Sequence, residues 1–189
     1  VELLASKRVL NGDSAVSFAP ERKVTRAEFA AMLVRALGLN PDAAAAQFAD
    51  VAADAWYAGE IGAAAKRGIV QGTADGTFRP DDEVSRQEMD VMTARAFAFA
   101  GGASPGVASP GEATSGASPG GASLGASLAA QFADADSIGE WAEEGVQQAV
   151  AAGLMKGRPN GSFDPSASSS RAEAATVLHR LLTTLEFID

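Results

Sequence analysis

The chain has 189 residues and a formal net charge of −9, with 47% apolar residues, 6% aromatic residues and no cysteine. The absence of cysteine excludes disulfide frameworks, thiol nucleophiles and Cys-based zinc sites. The acidic balance argues against a general nucleic-acid binder, and the single His179 cannot build a multi-histidine metal site. Much of the apolar fraction is alanine, so a core must come from thin helices packed closely. No apolar run reaches the length of a membrane span, so no membrane insertion is expected. Val1 does not begin a signal peptide, so an exported form would be a mature or excised portion.

In chain order, the first signal is Gly12, Phe18 and Pro20 followed by Thr25-Arg26-Ala27-Glu28. A hydroxyl at the N-cap with glutamate three residues on is a capping box, and Val24 with Phe29 supplies the hydrophobic staple across it. The apolar stripe Phe29, Leu33, Ala36, Leu37 then predicts a helix. A short join, Gly38 to Gln47, leads to Phe48-Ala49-Asp50 and Trp56. A second helix is expected from Trp56 to Arg67, closed by Gly68.

After Gly72 the pair Asp75-Gly76 marks a sharp turn, and Phe78-Arg79-Pro80 reads as a short extended return. The capping box recurs at Ser85-Arg86-Gln87-Glu88, with Val84 and Met89 as staple and Met89, Met92, Ala96 as stripe. From 101 to 127 the chain is nearly all Gly, Ala, Ser and Pro, which predicts a flexible insertion. The earlier pattern then returns in order: Phe132-Ala133-Asp134, Trp141, Gly153, Gly157, Asn160-Gly161-Ser162-Phe163-Asp164-Pro165 and Ser170-Arg171-Ala172-Glu173. Here Ser169 and Ala174 replace the staple pair, and Val177, Leu178, Leu181 and Leu185 form the stripe.

One helix–loop–helix unit is therefore written three times, which makes the chain an all-α array of tandem repeats. The boundaries expected are 1–47 for a first unit lacking its N-terminal half, 48–100 for the second, 101–130 for the insertion and 131–189 for the third. The ending Phe187-Ile188-Asp189 has the form of another Phe-x-Asp opening, although its spacing is shorter and coincidence is the safer reading.

Arg26, Arg86 and Arg171 each fall at the first helical position, where a cation opposes the helix dipole. Such a choice, made three times in register, points to an anion near the helix start, and a carboxylate fits the guanidinium fork. The anion could equally be internal, a glutamate or Asp50 or Asp134 in a structural salt bridge. Trp56 and Trp141 are similarly open between core packing and a stacking platform for a sugar ring. Phe18, Phe78 and Phe163 are assigned to the core.

No phosphate-binding loop, nucleophile elbow or calcium loop is present, so no cofactor, no metal and no enzymatic activity are expected. Glu143-Glu144 and Asp81-Asp82 are adjacent in sequence and read as solvated faces.

The string Phe-x-Asp, Trp, Gly-Ile, Gly, Asp-Gly-x-Phe-x-Pro and [Thr/Ser]-Arg-x-Glu resembles the S-layer homology domain, most fully from Phe48 to Phe99. The resemblance implies three repeats forming a pseudo-trimer around a central three-helix bundle, with ligand grooves between neighbours. It implies noncovalent anchoring of a larger S-layer protein or exoenzyme, at the surface of a Gram-positive bacterium, to a secondary cell wall polysaccharide carrying pyruvate ketals, often on N-acetylmannosamine. Carried over by motif position, the implied ligand contacts are Arg26, Arg86 and Arg171, with Asp50, Asp134, Trp56 and Trp141 shaping the grooves. Gly72 and Gly157 would let the backbone approach the sugar. The competing reading is a protein-interaction or assembly module whose arginines make structural salt bridges.

Overall fold

The computed structural model describes residues 18–102 and 128–188. Residues 1–17 of the first unit, Gly12 among them, and nearly all of the Gly/Ala/Ser/Pro insertion lie outside the described residues, as does Asp189. Within them the fold is all-α. Five α-helices run in chain order: α1 Arg26–Ala36, α2 Ala58–Lys66, α3 Arg86–Phe99, α4 Glu140–Ala151 and α5 Arg171–Thr184. Two short 3-10 turns, Ala43–Ala45 and Ala135–Ser137, precede α2 and α4. The helix expected from Trp56 begins two residues later, at Ala58, with Tyr57 as an N-cap whose side chain makes no capping hydrogen bond.

Helices α1, α3 and α5 start where the sequence says they should. Thr25, Ser85 and Ser170 each accept the N–H of the glutamate three residues on, and each glutamate accepts the cap's own N–H. These same three helices touch one another pairwise, while α2 packs on α1 and α4 on α3. The close seams need small residues: a Cβ at Gly145 on α4 would come within 2.8 Å of Val91 on α3.

The segments before the caps hold the three helices in a closed cycle. The N–H of Val24 donates to Ser169, that of Ser169 to Val84, and that of Val84 back to Val24, at 2.9–3.0 Å. One step later, Arg26 and Ala27 donate to Asp82 and Pro80, Arg86 and Gln87 to Ala167 and Pro165, and Arg171 and Ala172 to Arg22 and Pro20. Each helix start therefore finds its acceptors in the next unit, and the third unit finds them in the first. The orphan N–H groups of a helix N-terminus are fully used this way, so none of the first three remains for a ligand.

The Phe-x-Pro segments are not simply extended. Their middle residues Ala19, Arg79 and Asp164 all lie in the left-handed region, with φ of 49°, 59° and 56°. A non-glycine residue there costs on the order of 1–3 kcal/mol. Asp50 offsets that cost by accepting the N–H groups of Phe78 and Arg79, both at 2.7 Å. Asp134 does the same for Phe163 and Asp164, at 2.7 and 2.8 Å.

The described core holds an acidic side chain out of place. Asp90 on α3 is fully buried and neither carboxyl oxygen has a hydrogen-bond partner. The matching positions are Ala30 on α1 and Ala175 on α5. Burial pushes the Asp90 carboxyl well above its ordinary 3.8, against a smaller opposing pull from the Arg86 charge. The folded chain then keeps a proton that the unfolded chain releases, so stability drains as pH rises from 3.8 toward the raised folded value. Asp90→Ala, the residue of the other two copies, should raise stability at neutral pH by roughly 1–3 kcal/mol. Denaturant melts across pH will show that gain shrinking as the pH falls below 3.8, where both states hold the proton.

Candidate functional site

The three motif arginines are buried, at 7%, 4% and 4% exposure for Arg26, Arg86 and Arg171. Each reaches into the next unit. Arg26 donates Nε to the carbonyl of Phe78 at 2.8 Å and pairs with Glu88 at 2.7 Å. Arg86 donates Nε to the carbonyl of Phe163 at 2.7 Å and pairs with Glu173 at 3.1 Å. Arg171 donates Nε to the carbonyl of Phe18 at 2.8 Å. All three guanidiniums also lie over the ring of that same phenylalanine, 4.8–5.3 Å from its centroid.

The glutamates thus act twice. One oxygen of Glu88 and Glu173 caps its own helix while the other holds the arginine of the preceding unit. Burial pushes the Glu173 carboxyl up, but the Ser170 N–H and the charges of Arg86 and Arg158 outweigh it and hold the group below its ordinary 4.5.

Two grooves open beside these pairs. The first, about 550 Å³, is lined by Arg26, the Gln71–Ala74 loop, Glu88, Val91, Met92, Arg95 and Trp141. The second, about 290 Å³, is lined by Arg86, the Lys156–Pro159 loop, Glu173, Thr176, Val177 and Arg180 among others. Apart from Trp141 in the first and Met155 and Ala172 in the second, the two sets match position for position across the repeat. Each groove has a buried arginine at its back, a loop containing the motif glycine as one wall, and the outer face of α3 or α5 as the other.

Of the sequence-predicted residues, Arg26, Gly72 and Trp141 meet in the first groove, and Arg86 and Gly157 in the second. Gly72 and Gly157 are required by packing as much as by any ligand. A Cβ at either would come within 2.7 Å of the Phe48 or Phe132 ring. Asp50 and Asp134 serve the Phe-x-Pro backbone and line neither groove. Trp56 and Trp141 are both 59% exposed, so neither is a core residue. Trp56 sits edge-on to Tyr57, at 5.3 Å between ring centroids, away from both grooves.

Arg95 and Arg180 escaped the sequence reading. The signal was available, because an arginine recurs nine residues after each motif arginine, at Arg35, Arg95 and Arg180. Arg95 reaches across its groove to Gln71 at 3.0 Å, and Arg180 donates to the carbonyl of Leu154 at 3.3 Å. Among the described residues no group of three or more His, Asp or Glu side chains is placed to hold a metal ion. None of the described helices is long and apolar enough to cross a membrane.

A family model of the S-layer homology domain matches residues 1–30, 47–89 and 131–175, more than half of the chain. Similar curated proteins include an amylopullulanase of Thermoanaerobacterium thermosulfurigenes, 34% identical over 96% of this chain but 9% of its own length. A surface-layer 125 kDa protein of Lysinibacillus sphaericus is 30% identical over 100% of this chain and 14% of its own length. A cellulosome-anchoring protein of Acetivibrio thermocellus is 28% identical over 91% of this chain and 36% of its own length. The chain thus spans a minor part of each of these relatives.

The double use of Glu173 makes a stability prediction. Glu173→Gln keeps a capping side chain but removes the charge facing Arg86, and should cost about 2 kcal/mol at pH 7. A carboxylate whose folded value is lowered stabilises above its unfolded value and loses that effect as pH falls through the folded one. The variant and the native chain should therefore converge in chemical denaturation as the pH falls below 4.5.

Proposed function

Because the chain belongs to the S-layer homology domain family, we propose that this cell-surface anchoring module binds an anionic wall polysaccharide in the grooves between its repeats. The polymer class is a secondary cell wall polysaccharide carrying pyruvate ketals, with N-acetylmannosamine as the ketal-bearing sugar. The location is extracellular, in the wall or surface layer of a Gram-positive bacterium. The module itself is non-enzymatic and tethers a larger S-layer protein or exoenzyme to which it is joined. The repeat units it uses are those bounded near residues 47 and 131, with the low-complexity stretch as a tolerated insertion.

The observation that carries this reading is the pair of matching grooves, each with a cationic side chain at its wall beside a glycine loop. A ketal carboxylate entering there meets Arg95 or Arg180 at the groove wall, with Arg26 or Arg86 behind. Sugar rings have an apolar face, and the exposed indole of Trp141 at the first groove offers the surface on which such a face stacks.

The pairing of Arg26 with Glu88 and of Arg86 with Glu173 favours one element of a second reading, in which the chain is a protein-assembly module and the motif arginines are structural. The two readings part on ligand chemistry. Retention on purified wall polysaccharide, measured before and after mild acid strips the ketal, should fall at least about tenfold for the native chain. Arg95→Ala and Trp141→Ala should each weaken retention while leaving the melting temperature within a few degrees of native. Equal retention on native and stripped polymer would overturn the ketal reading, and retention on neither would overturn the glycan reading and leave the assembly reading.

A further inference from the structure

The two grooves match in position but not in charge. Where the first has Gln71 and Thr73, the second has Lys156 and Arg158. The first groove therefore sets two cations, Arg26 and Arg95, against Glu88. The second sets four, Arg86, Lys156, Arg158 and Arg180, against Glu173. Arg158 is shared with Asp164 and Glu173. Lys156 is exposed, and neither it nor Arg180 has a carboxylate within ion-pair distance among the described residues.

The first groove is quieter still. Burial pulls the Arg95 guanidinium down, and its side chain is held by the neutral amide of Gln71. Glu144 on α4 adds a nearby negative charge that acts on Arg95. What this groove has instead is the Trp141 indole, together with apolar Val91 and Met92. Among the described residues no aromatic side chain lines the second groove. A groove rich in unneutralised cations binds by charge, and its affinity falls steeply with salt. A groove with fewer cations and an exposed indole binds mainly by stacking and apolar contact, which salt leaves nearly unchanged.

Resting on the anchoring function proposed above, we infer that the grooves divide the polymer between them. The α5 groove is the acid reader, with Lys156 its specificity-determining residue, and takes the ketal-bearing sugar. The α3 groove takes a neighbouring sugar through its apolar face on Trp141, whether or not that sugar is charged. A polymer that presents both features engages the grooves together, and each engagement raises the local concentration for the other.

The equivalent glycines report on the two grooves separately. In an NMR titration of the chain, the Gly72 amide and the Trp141 indole N–H follow the first groove, and the Gly157 amide follows the second. Two probes are needed: the pyruvate ketal of a methyl N-acetylmannosaminide, and the acetone ketal of the same glycoside, which has no carboxylate. Gly157 should shift with the pyruvate ketal alone, and its apparent Kd should weaken several-fold between low and physiological salt. Gly72 and Trp141 should shift with both probes at either salt concentration. Lys156→Gln should weaken the Gly157 response about tenfold without moving the Gly72 response. Equal responses of both glycines to both probes, or an unchanged Gly157 response in Lys156→Gln, would overturn the division. A shift of neither glycine with either probe would overturn the groove-binding reading itself.

Discussion

The array depends on an arginine that serves a unit other than its own. At the first position of α1, α3 and α5 the guanidinium sits at the positive end of a helix dipole, an unfavourable place taken alone. It is compensated from the following unit by the phenylalanine carbonyl that each of the three finds, and for Arg26 and Arg86 by a capping glutamate as well. One carboxylate thus starts a helix and docks a neighbour. A single unit has no such partner and leaves its arginine and its first N–H groups to water, so docking of the units supports each helix start. The cyclic bonds among Val24, Val84 and Ser169 extend that coupling to the backbone and close it between the last unit and the first.

The same coupling produces the grooves. Burying each arginine pulls the loop of the next unit, Gln71–Ala74 or Lys156–Pro159, against the outer face of a capped helix. The concave surface between them is a by-product of docking, so its geometry repeats wherever the link repeats. Its chemistry does not repeat. Gln71 and Lys156 occupy the same place with different charge, and the indole at the first groove comes from Trp141 on α4. A repeated frame with different wall residues would suit the proposed binding of several segments of one polymer.

Much of this was legible in the sequence because the signals were local. The three capping boxes, the staple pairs around Thr25 and Ser85, and Gly68 as a left-handed stop (φ 68°) depend on residues within one turn of each other. The arginines posed a question that local pattern could not close, since the partner of Arg26 lies 62 residues away. Asp50 binds the backbone at Phe78 and Arg79, a contact with no sequence signal, because the left-handed residue in Phe-x-Pro leaves no trace when it is arginine, aspartate or alanine. Arg95 and Arg180 were overlooked although they recur in register, since an arginine on the polar side of an amphipathic helix looks like ordinary solvated surface. Asp90 was equally silent, and only its burial among apolar neighbours marks it out.

The most direct measurement is a crystal structure of the chain with a ketal-bearing wall oligosaccharide bound. The account predicts a sugar carboxylate at the α5 groove beside Lys156 and Arg180, with Arg86 still holding Glu173 and the Phe163 carbonyl behind it. Glycan density away from both grooves, or an Arg86 that has left Glu173 to reach the ligand, would contradict it.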